Sequence, residues 1–216
     1  MSAIALVGFS ATADAAFIPW DVPSGSTSSF SFSGGGSDNG LFGSPDVVSD
    51  DGFAFSPDAF IAVDDVDDDI SVSTTDRLEV TITANPGQTI DKITIGELGD
   101  FAILGAGSVQ VSGALFLLGD GLPLTGLSDL LTTSQPMPIA TAGSGLYDGM
   151  VMIDLPAGIT EVTVIYNNTL QADSEGGSAL IQKKTAGLEI VIDVIPEPAT
   201  LGLAGLVAPM LLRRRR

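Results

Sequence analysis

Hydrophobic and polar side chains alternate along much of the chain between residues 17 and 195. In SSFSFSG, Phe30 and Phe32 fall on one face and serines on the other, which is the pattern of a half-buried strand. In LEVTITA, Leu78, Val80 and Ile82 form the apolar face in the same way. Further strand-like runs are TIDKITIGEL, SVQVSGALFLLG, GMVMIDL, TEVTVIYNN and GLEIVIDVI. Such runs, separated by Gly, Pro, Asn and Asp, predict an all-β single domain over residues 17–195 with an antiparallel β-sandwich or jelly-roll-like fold.

A turn is predicted between the second and third of these runs, at NPGQ. Pro86 presets φ at the first central position of the turn, and Gly87 permits a positive φ at the second. Because strand-like runs flank the turn, the pattern predicts a β-hairpin over residues 78–98. A short helical pattern is also present over residues 124–131.

The composition removes several classes of function. The chain of 216 residues has 27 Asp+Glu against 8 Lys+Arg, so we expect its body to repel nucleic acid and anionic surfaces. It contains no His and no Cys, which excludes Ser-His-Asp, Cys-His and zinc hydrolase mechanisms as well as disulfides. Only a pair of carboxylates could carry catalysis, as in glycoside hydrolysis. Few aromatic side chains are available to stack on a sugar, and Trp20, Tyr147 and Tyr166 are expected in the core or in hairpins.

The N-terminal stretch MSAIALVGFSATADAA is apolar and ends in small residues. Ala13-Asp14-Ala15 and Asp14-Ala15-Ala16 both fit the small-residue cleavage pattern of a secretory signal peptide, which we therefore expect over residues 1–16. No Lys or Arg precedes the apolar stretch, so we expect the true start to lie upstream, with a basic n-region. The alternative is a buried first element of the domain.

The C-terminal stretch joins Pro196-Glu197-Pro198 to an uncharged apolar segment over residues 199–212. As a helix of ~1.5 Å rise per residue, this segment would be about 21 Å long, shorter than the ~30 Å hydrocarbon core. The chain then ends in four arginines, Arg213, Arg214, Arg215 and Arg216. Basic residues beside an apolar segment favour the cytoplasmic side and would stop transfer with the acidic body outside. We predict a tail over residues 196–216 with an exposed Pro-Glu-Pro motif and a short transmembrane-type helix.

The order of Pro196-Glu197-Pro198, the segment ATLGLAGLVAPMLL and RRRR resembles the PEP-CTERM sorting signal of Gram-negative bacteria. The resemblance implies recognition by an exosortase, a membrane-embedded transpeptidase-like enzyme that removes the tail. It also implies a transient stage at the inner membrane, followed by release or transfer to the cell surface or extracellular polysaccharide. The bodies of proteins with this signal are often single β-sandwich domains without an assigned activity.

The densest group of acidic residues lies in VDDVDDDISVSTTD, residues 63–76. Counted from Asp65, acids occupy positions 1, 3, 5 and 12, as in a calcium-binding EF-hand loop. The four residues concerned are Asp65, Asp67, Asp69 and Asp76. Position 6 is Ile70 rather than glycine, and position 12 is Asp rather than Glu. Two interpretations stay open: a Ca²⁺ site, or a solvated acidic loop that protects a sheet edge. No other cofactor is predicted.

The sequence therefore predicts an exported, non-enzymatic protein of the cell surface or extracellular matrix, sorted by its C-terminal tail. Its acidity would keep it hydrated. The alternative is a carbohydrate-binding or calcium-dependent adhesive module associated with exopolysaccharide. A carboxylate-dependent hydrolase is a third hypothesis, and it requires two acidic side chains about 5 to 9.5 Å apart across a cleft.

Overall fold

A computed structural model of the chain describes residues 17–65 and 70–197, which form two antiparallel β-sheets. In chain order the strands are β1 (Ile18–Pro19), β2 (Gly25–Ser26), β3 (Phe30–Ser37), β4 (Val47–Ser49), β5 (Gly52–Phe55), β6 (Ile61–Asp64), β7 (Val72–Ala84), β8 (Gln88–Leu104), β9 (Gly107–Leu118), β10 (Leu127–Leu130), β11 (Thr132–Thr133), β12 (Gly143–Asp154), β13 (Glu161–Ser174) and β14 (Ser178–Pro196). Within the two described ranges, no helix has the length and apolar character needed to cross a membrane.

Each sheet has seven strands, and long strands lie at its centre. Sheet 1 has the order β1-β3-β7-β13-β9-β10, with β2 also paired to β3. Sheet 2 has the order β11-β12-β8-β14-β5-β4, with β6 also paired to β14. The consecutive strands β13 and β14 therefore belong to different sheets. The prediction of an all-β chain folded as an antiparallel sandwich is confirmed.

The alternating pattern of the sequence predicts which side chains form the core. Phe30 and Phe32 of β3 are buried while Ser33 is exposed. Along β7, Leu78, Val80 and Ile82 are fully buried. These residues belong to one hydrophobic cluster, because successive side chains of a strand point to opposite faces and only one face of each strand meets the core.

Aromatic rings fill one part of this core. Trp20 is buried and its ring centroid lies 5.4 Å from the centroids of both Phe53 and Phe55. The Phe32 and Phe53 rings meet edge to face at 5.1 Å. Tyr147 and Tyr166 are also buried, so the expectation that Trp20 and the tyrosines are core residues is confirmed.

The predicted hairpin over residues 78–98 is wrong, although its turn is present. The amide of Gln88 donates to the carbonyl of Asn85 at 3.0 Å, and Gly87 has a φ of +81°. The strands on either side do not pair: β7 lies between β3 and β13 in sheet 1, and β8 lies between β12 and β14 in sheet 2. The turn carries the chain from one sheet to the other, which lets both strands bury their apolar faces in the same core.

The short helical pattern over residues 124–131 is also wrong. Leu127–Leu130 forms β10, which pairs with β9 at an edge of sheet 1. Pro123 precedes this stretch and Gly126 has a φ of +72°, so the backbone turns before the strand begins. Pairing with a long neighbouring strand satisfies backbone groups that a single helical turn would leave open.

Candidate functional site

A cluster of polar side chains lies buried between the two sheets. Glu97 on β8 and Lys183 on β14 come from sheet 2, whereas Tyr166 and Asn168 on β13 come from sheet 1. All four are at most 4% exposed. Tyr166 and Asn168 are two residues apart on one strand, so both point to the same face of the sheet. We call these four residues the inter-sheet cluster.

One oxygen of Glu97 is the centre of the cluster. The Oε2 atom accepts hydrogen bonds from Lys183 Nζ at 2.6 Å, Tyr166 Oη at 2.8 Å and Asn168 Nδ2 at 2.9 Å. The Asn168 amide nitrogen also donates to Tyr166 Oη at 2.9 Å and to the carbonyl of Ser112 at 3.1 Å. Two buried oxygens, Glu97 Oε1 and Asn168 Oδ1, have no hydrogen-bond partner among the described residues.

The ion pair at the centre of the cluster is closed to solvent. The side chains of Lys183 and Glu97 are both 0% exposed. Burial lowers the pKa of Lys183, because a charged amine is poorly stabilised away from water, and the nearby charge of Glu97 opposes this shift. The amine also lies 5.3 Å from the centroid of the Phe60 ring. The cluster therefore holds an amine that loses its proton more readily than an exposed lysine.

Two glycines make room for the tyrosine rings around the cluster. Gly99 pairs with Lys183 on one side and with Tyr147 on the other, and a Cβ at Gly99 would lie 2.3 Å from the Tyr147 ring. A Cβ at Gly113 would lie 2.4 Å from Tyr166 Oη. Burial and then the charge of Glu97 raise the pKa of both tyrosines, so both remain protonated well beyond neutral pH.

The structure brings the predicted calcium residues together only in part. Asp67 and Asp69 lie outside the described residues, and Asp65 is exposed after β6. Asp76 is buried in β7, where its carboxylate accepts backbone N–H bonds from Asn39, Leu41, Phe42 and Arg77 at 2.7 to 3.3 Å. Among the residues that the structure describes, no three acidic side chains are grouped so that they could hold a metal ion.

The predicted sorting motif begins where the last strand ends. Pro196 closes β14, and the amide of Glu197 donates to the carbonyl of Gly87 at 2.9 Å. Both Pro196 and Glu197 are exposed. The predicted signal peptide over residues 1–16 lies outside the described residues, as do Pro198 and the rest of the tail with its four arginines.

The four cations of the body all form ion pairs. Lys183 binds Glu97 in the core, and Lys92 binds Asp193 at 3.0 Å. Lys184 binds Asp100 at 2.7 Å, and Arg77 binds both Asp38 and Glu79. The positive charge of the described residues is thus neutralised locally, and the excess of acidic side chains gives the body its negative charge.

Two surface depressions are relevant to the hypotheses of a carbohydrate-binding module and of a carboxylate-dependent hydrolase. A groove of about 500 Å³ is lined by carboxyl, hydroxyl and apolar groups, among them Asp21, Ser26, Thr27 and Ser44. A cleft of about 280 Å³ is lined by four aspartates, which are Asp50, Asp51, Asp91 and Asp193. Hydrogen bonds from the Ser28 side chain and backbone lower the pKa of Asp50, which keeps it ionised.

Sequence reasoning missed the inter-sheet cluster, although one signal pointed to it. Glu97 follows Ile93 and Ile95 in the alternation, so its position predicts an inward side chain. Asn168 continues the inward series of Val164 and Tyr166 in the same way. Polar residues at inward positions of otherwise apolar strands are unusual and indicate a buried polar site.

Comparison with known proteins identifies no family for this chain. It matches no family model and no curated protein. A solved structure similar to part of it is TmCBM61 in complex with β-1,4-galactotriose, at 13% identity and a TM-score of 0.26, covering 64% of this chain and 69% of that one.

Two further structures are similar at the same low level. The enzymatically active domain of bacteriophage CBA120 tailspike protein 4 is 9% identical with a TM-score of 0.22, and the match covers 62% of this chain and 19% of that one. An infectious bursal disease virus Gx strain structure is 13% identical with a TM-score of 0.22, and the match covers 71% of this chain and 50% of that one. TM-scores this low do not support assigning the activity of any of these proteins to this chain.

Proposed function

We propose that this chain is an exported, non-enzymatic β-sandwich protein of the cell surface or extracellular matrix, sorted by a PEP-CTERM-like tail. The observation that supports a structural role is the burial of the inter-sheet cluster. The side chains of Lys183 and Glu97 are 0% exposed, so a substrate in solvent does not reach this ion pair. The hydrogen bonds of Glu97 with Tyr166 and Asn168 join one sheet to the other and serve the fold itself.

The position of the Pro-Glu-Pro motif supports the sorting part of the proposal. Pro196 and Glu197 are exposed at the end of β14, directly after the folded body. A membrane-embedded exosortase-like enzyme would need an accessible segment between the body and the apolar tail. The protein would occupy the inner membrane transiently and then reach the surface or matrix, where its acidic body stays hydrated.

The test is the intact mass of the protein recovered from the surface or medium of the producing cells. We expect loss of the N-terminal residues near Ala16 and loss of the tail near Pro196-Glu197-Pro198. Replacing the three motif residues by alanine should block removal of the tail. Pro123→Ala, in an exposed loop far along the chain from the motif, is the matched control and should be processed normally. Recovery of chains that end in Arg216 would overturn the sorting proposal.

A carbohydrate-binding module is the second candidate, and the groove that contains Asp21 favours it. Asp21, Ser26, Thr27 and Ser44 offer carboxyl and hydroxyl groups of the kind that bind sugar hydroxyls. Retention of the protein on exopolysaccharide from its own producer, with and without a calcium chelator, tests this candidate and the role of Ca²⁺. Asp21→Asn should reduce retention, whereas Asp129→Asn on the exposed face of β10 should not. Equal elution with the void volume in all cases would exclude it.

A further inference from the structure

We propose that Lys183 and Asn168 react with each other to form an amide bond that covalently joins the two sheets. The amine of Lys183 would displace the side-chain nitrogen of Asn168 as ammonia, with Glu97 carrying the protons. The inter-sheet cluster would then be a self-modification site that acts once, during or after folding.

The geometry of Glu97 supports this role. One carboxylate oxygen lies 2.6 Å from Lys183 Nζ, the nucleophile, and 2.9 Å from Asn168 Nδ2, the leaving group. A general acid and base must lie within about 2.6 to 3.2 Å of the atoms whose protons it moves, and Glu97 meets this condition for both nitrogens. Because the three side chains are fixed on strands, the reaction is intramolecular and needs no binding step.

Tyr166 positions the reacting groups. Its hydroxyl donates to Glu97 Oε2 at 2.8 Å and accepts from Asn168 Nδ2 at 2.9 Å. The Asn168 nitrogen also donates to the Ser112 carbonyl, which together with Tyr166 fixes the amide plane.

The bonds and protons of the reaction balance without a cofactor. Lys183 transfers a proton to Glu97 and becomes a neutral amine, which its burial favours. The Nζ electron pair attacks Asn168 Cγ and forms a C–N bond, and negative charge moves to Oδ1. Glu97 then gives its proton to Nδ2 and takes the second proton from the positively charged Nζ, and the Cγ–Nδ2 bond breaks as the electron pair on Oδ1 re-forms the carbonyl. The products are the new amide, neutral ammonia and a protonated Glu97. One amide replaces another, and nothing is oxidised or reduced.

The surroundings of the cluster favour the product over the starting pair. A buried ion pair pays a large desolvation penalty, and a neutral amide removes both charges from the core. The exclusion of water also protects the attacked amide from hydrolysis. The chain has no cysteine, so a disulfide cannot supply a covalent link between the sheets of this exported protein.

Peptide mapping of the purified full-length chain tests the bond. Cleavage before aspartate, after denaturation, cuts at Asp154, Asp173 and Asp193 and separates residues 154–172 from residues 173–192. We expect these two peptides to remain joined, with a combined mass lower by one ammonia, ~17 Da. Ammonia loss at an asparagine can also come from a succinimide, but a succinimide would not hold the two peptides together. Two separate peptides at their full sequence masses would overturn the proposal.

Variants assign the roles of the individual residues. Lys183→Met and Asn168→Ala should each abolish the link. Their matched controls, Lys184→Met and Asn167→Ala, change the adjacent residues, and both should keep it. Glu97→Gln retains the shape of the side chain and should leave a folded chain of unreacted mass. The wild-type digest alone decides whether the bond exists, so failure of a variant to fold leaves the test intact. Formation of the bond in Glu97→Gln would refute the role of Glu97.

Discussion

Tyr147 and Tyr166 are two fully buried tyrosines near the same carboxylate, but only Tyr166 uses its hydroxyl. The Tyr166 hydroxyl donates to Glu97 at 2.8 Å and accepts from Asn168 at 2.9 Å. The Tyr147 hydroxyl has no partner among the described residues, although it is buried. We therefore predict that removing these two hydroxyls changes the free energy of unfolding in opposite directions.

The magnitudes follow from these contacts. Tyr166→Phe removes a hydrogen bond to a charged group and leaves Glu97 with one donor fewer, so it should lower the free energy of unfolding by about 2 kcal/mol. Tyr147→Phe removes a polar atom that is desolvated without compensation, so it should raise that free energy by about 1 kcal/mol. Both changes keep the ring, so neither leaves a cavity of the kind that dominates truncation of core residues.

Urea unfolding at neutral pH, followed by the fluorescence of Trp20, measures both variants against the wild type. The midpoints should move in opposite directions at an unchanged m-value, with a total difference of about 3 kcal/mol. The mass of each variant is determined first, so that chains in the same covalent state are compared. Equal destabilisation by both variants would refute the reasoning, because it would mean that the hydroxyl of Tyr147 is satisfied or that the rings repack.

Three further outcomes are expected. Burial raises the pKa of Tyr147 and Tyr166 above 10.0, so the folded chain keeps protons that the unfolded chain releases, and stability should fall as the pH rises above 10. The free energy of unfolding should fall by up to about 1.4 kcal/mol per pH unit for each tyrosine. Urea midpoints measured across this pH range give this slope, and Tyr147→Phe should halve it. In the same assay, Gly99→Ala should lower the free energy of unfolding by about 3 kcal/mol, because its Cβ would lie 2.3 Å from a backbone oxygen and from the Tyr147 ring. An unchanged free energy would contradict the packing around Gly99. Asp76→Ala should lower the free energy of unfolding by about 3 kcal/mol even in a calcium chelator, because it leaves backbone N–H groups unpaired. Asp65→Ala, at an exposed position, should change it by less than about 0.5 kcal/mol. Equal effects would contradict a structural role for Asp76.

The alternation of side chains predicted the strands and their buried faces but not their partners. Phe30, Phe32 and the apolar face of β7 were predictable because a period of two separates the two faces of a strand. The same period carries no information about which strand lies alongside. The Pro86-Gly87 turn was therefore assigned to a hairpin, although it connects the two sheets.

The inter-sheet cluster was predictable only one residue at a time. The alternation of inward and outward side chains along each strand places Glu97, Asn168 and Lys183 at inward positions, since each continues a series of inward apolar residues. Their meeting depends on β13 and β14 lying in opposite sheets, which no local pattern encodes. Gly99 and Gly113 also leave space for the tyrosine rings through contacts that exist only in three dimensions.

Replacing the buried ion pair with apolar residues distinguishes a covalent cluster from an ionic one. If Lys183 and Glu97 form only a salt bridge, Glu97→Leu combined with Lys183→Met should leave stability unchanged or raise it by about 1 to 4 kcal/mol. If Lys183 is bonded to Asn168, the same double variant loses a covalent link that closes a loop of about 15 residues, which should cost about 3 kcal/mol. Urea unfolding in a Tyr166→Phe background, which lacks the hydroxyl that would otherwise lose its acceptor Glu97, decides between the two signs. A stabilised double variant would therefore contradict the cross-link even before its peptides are mapped.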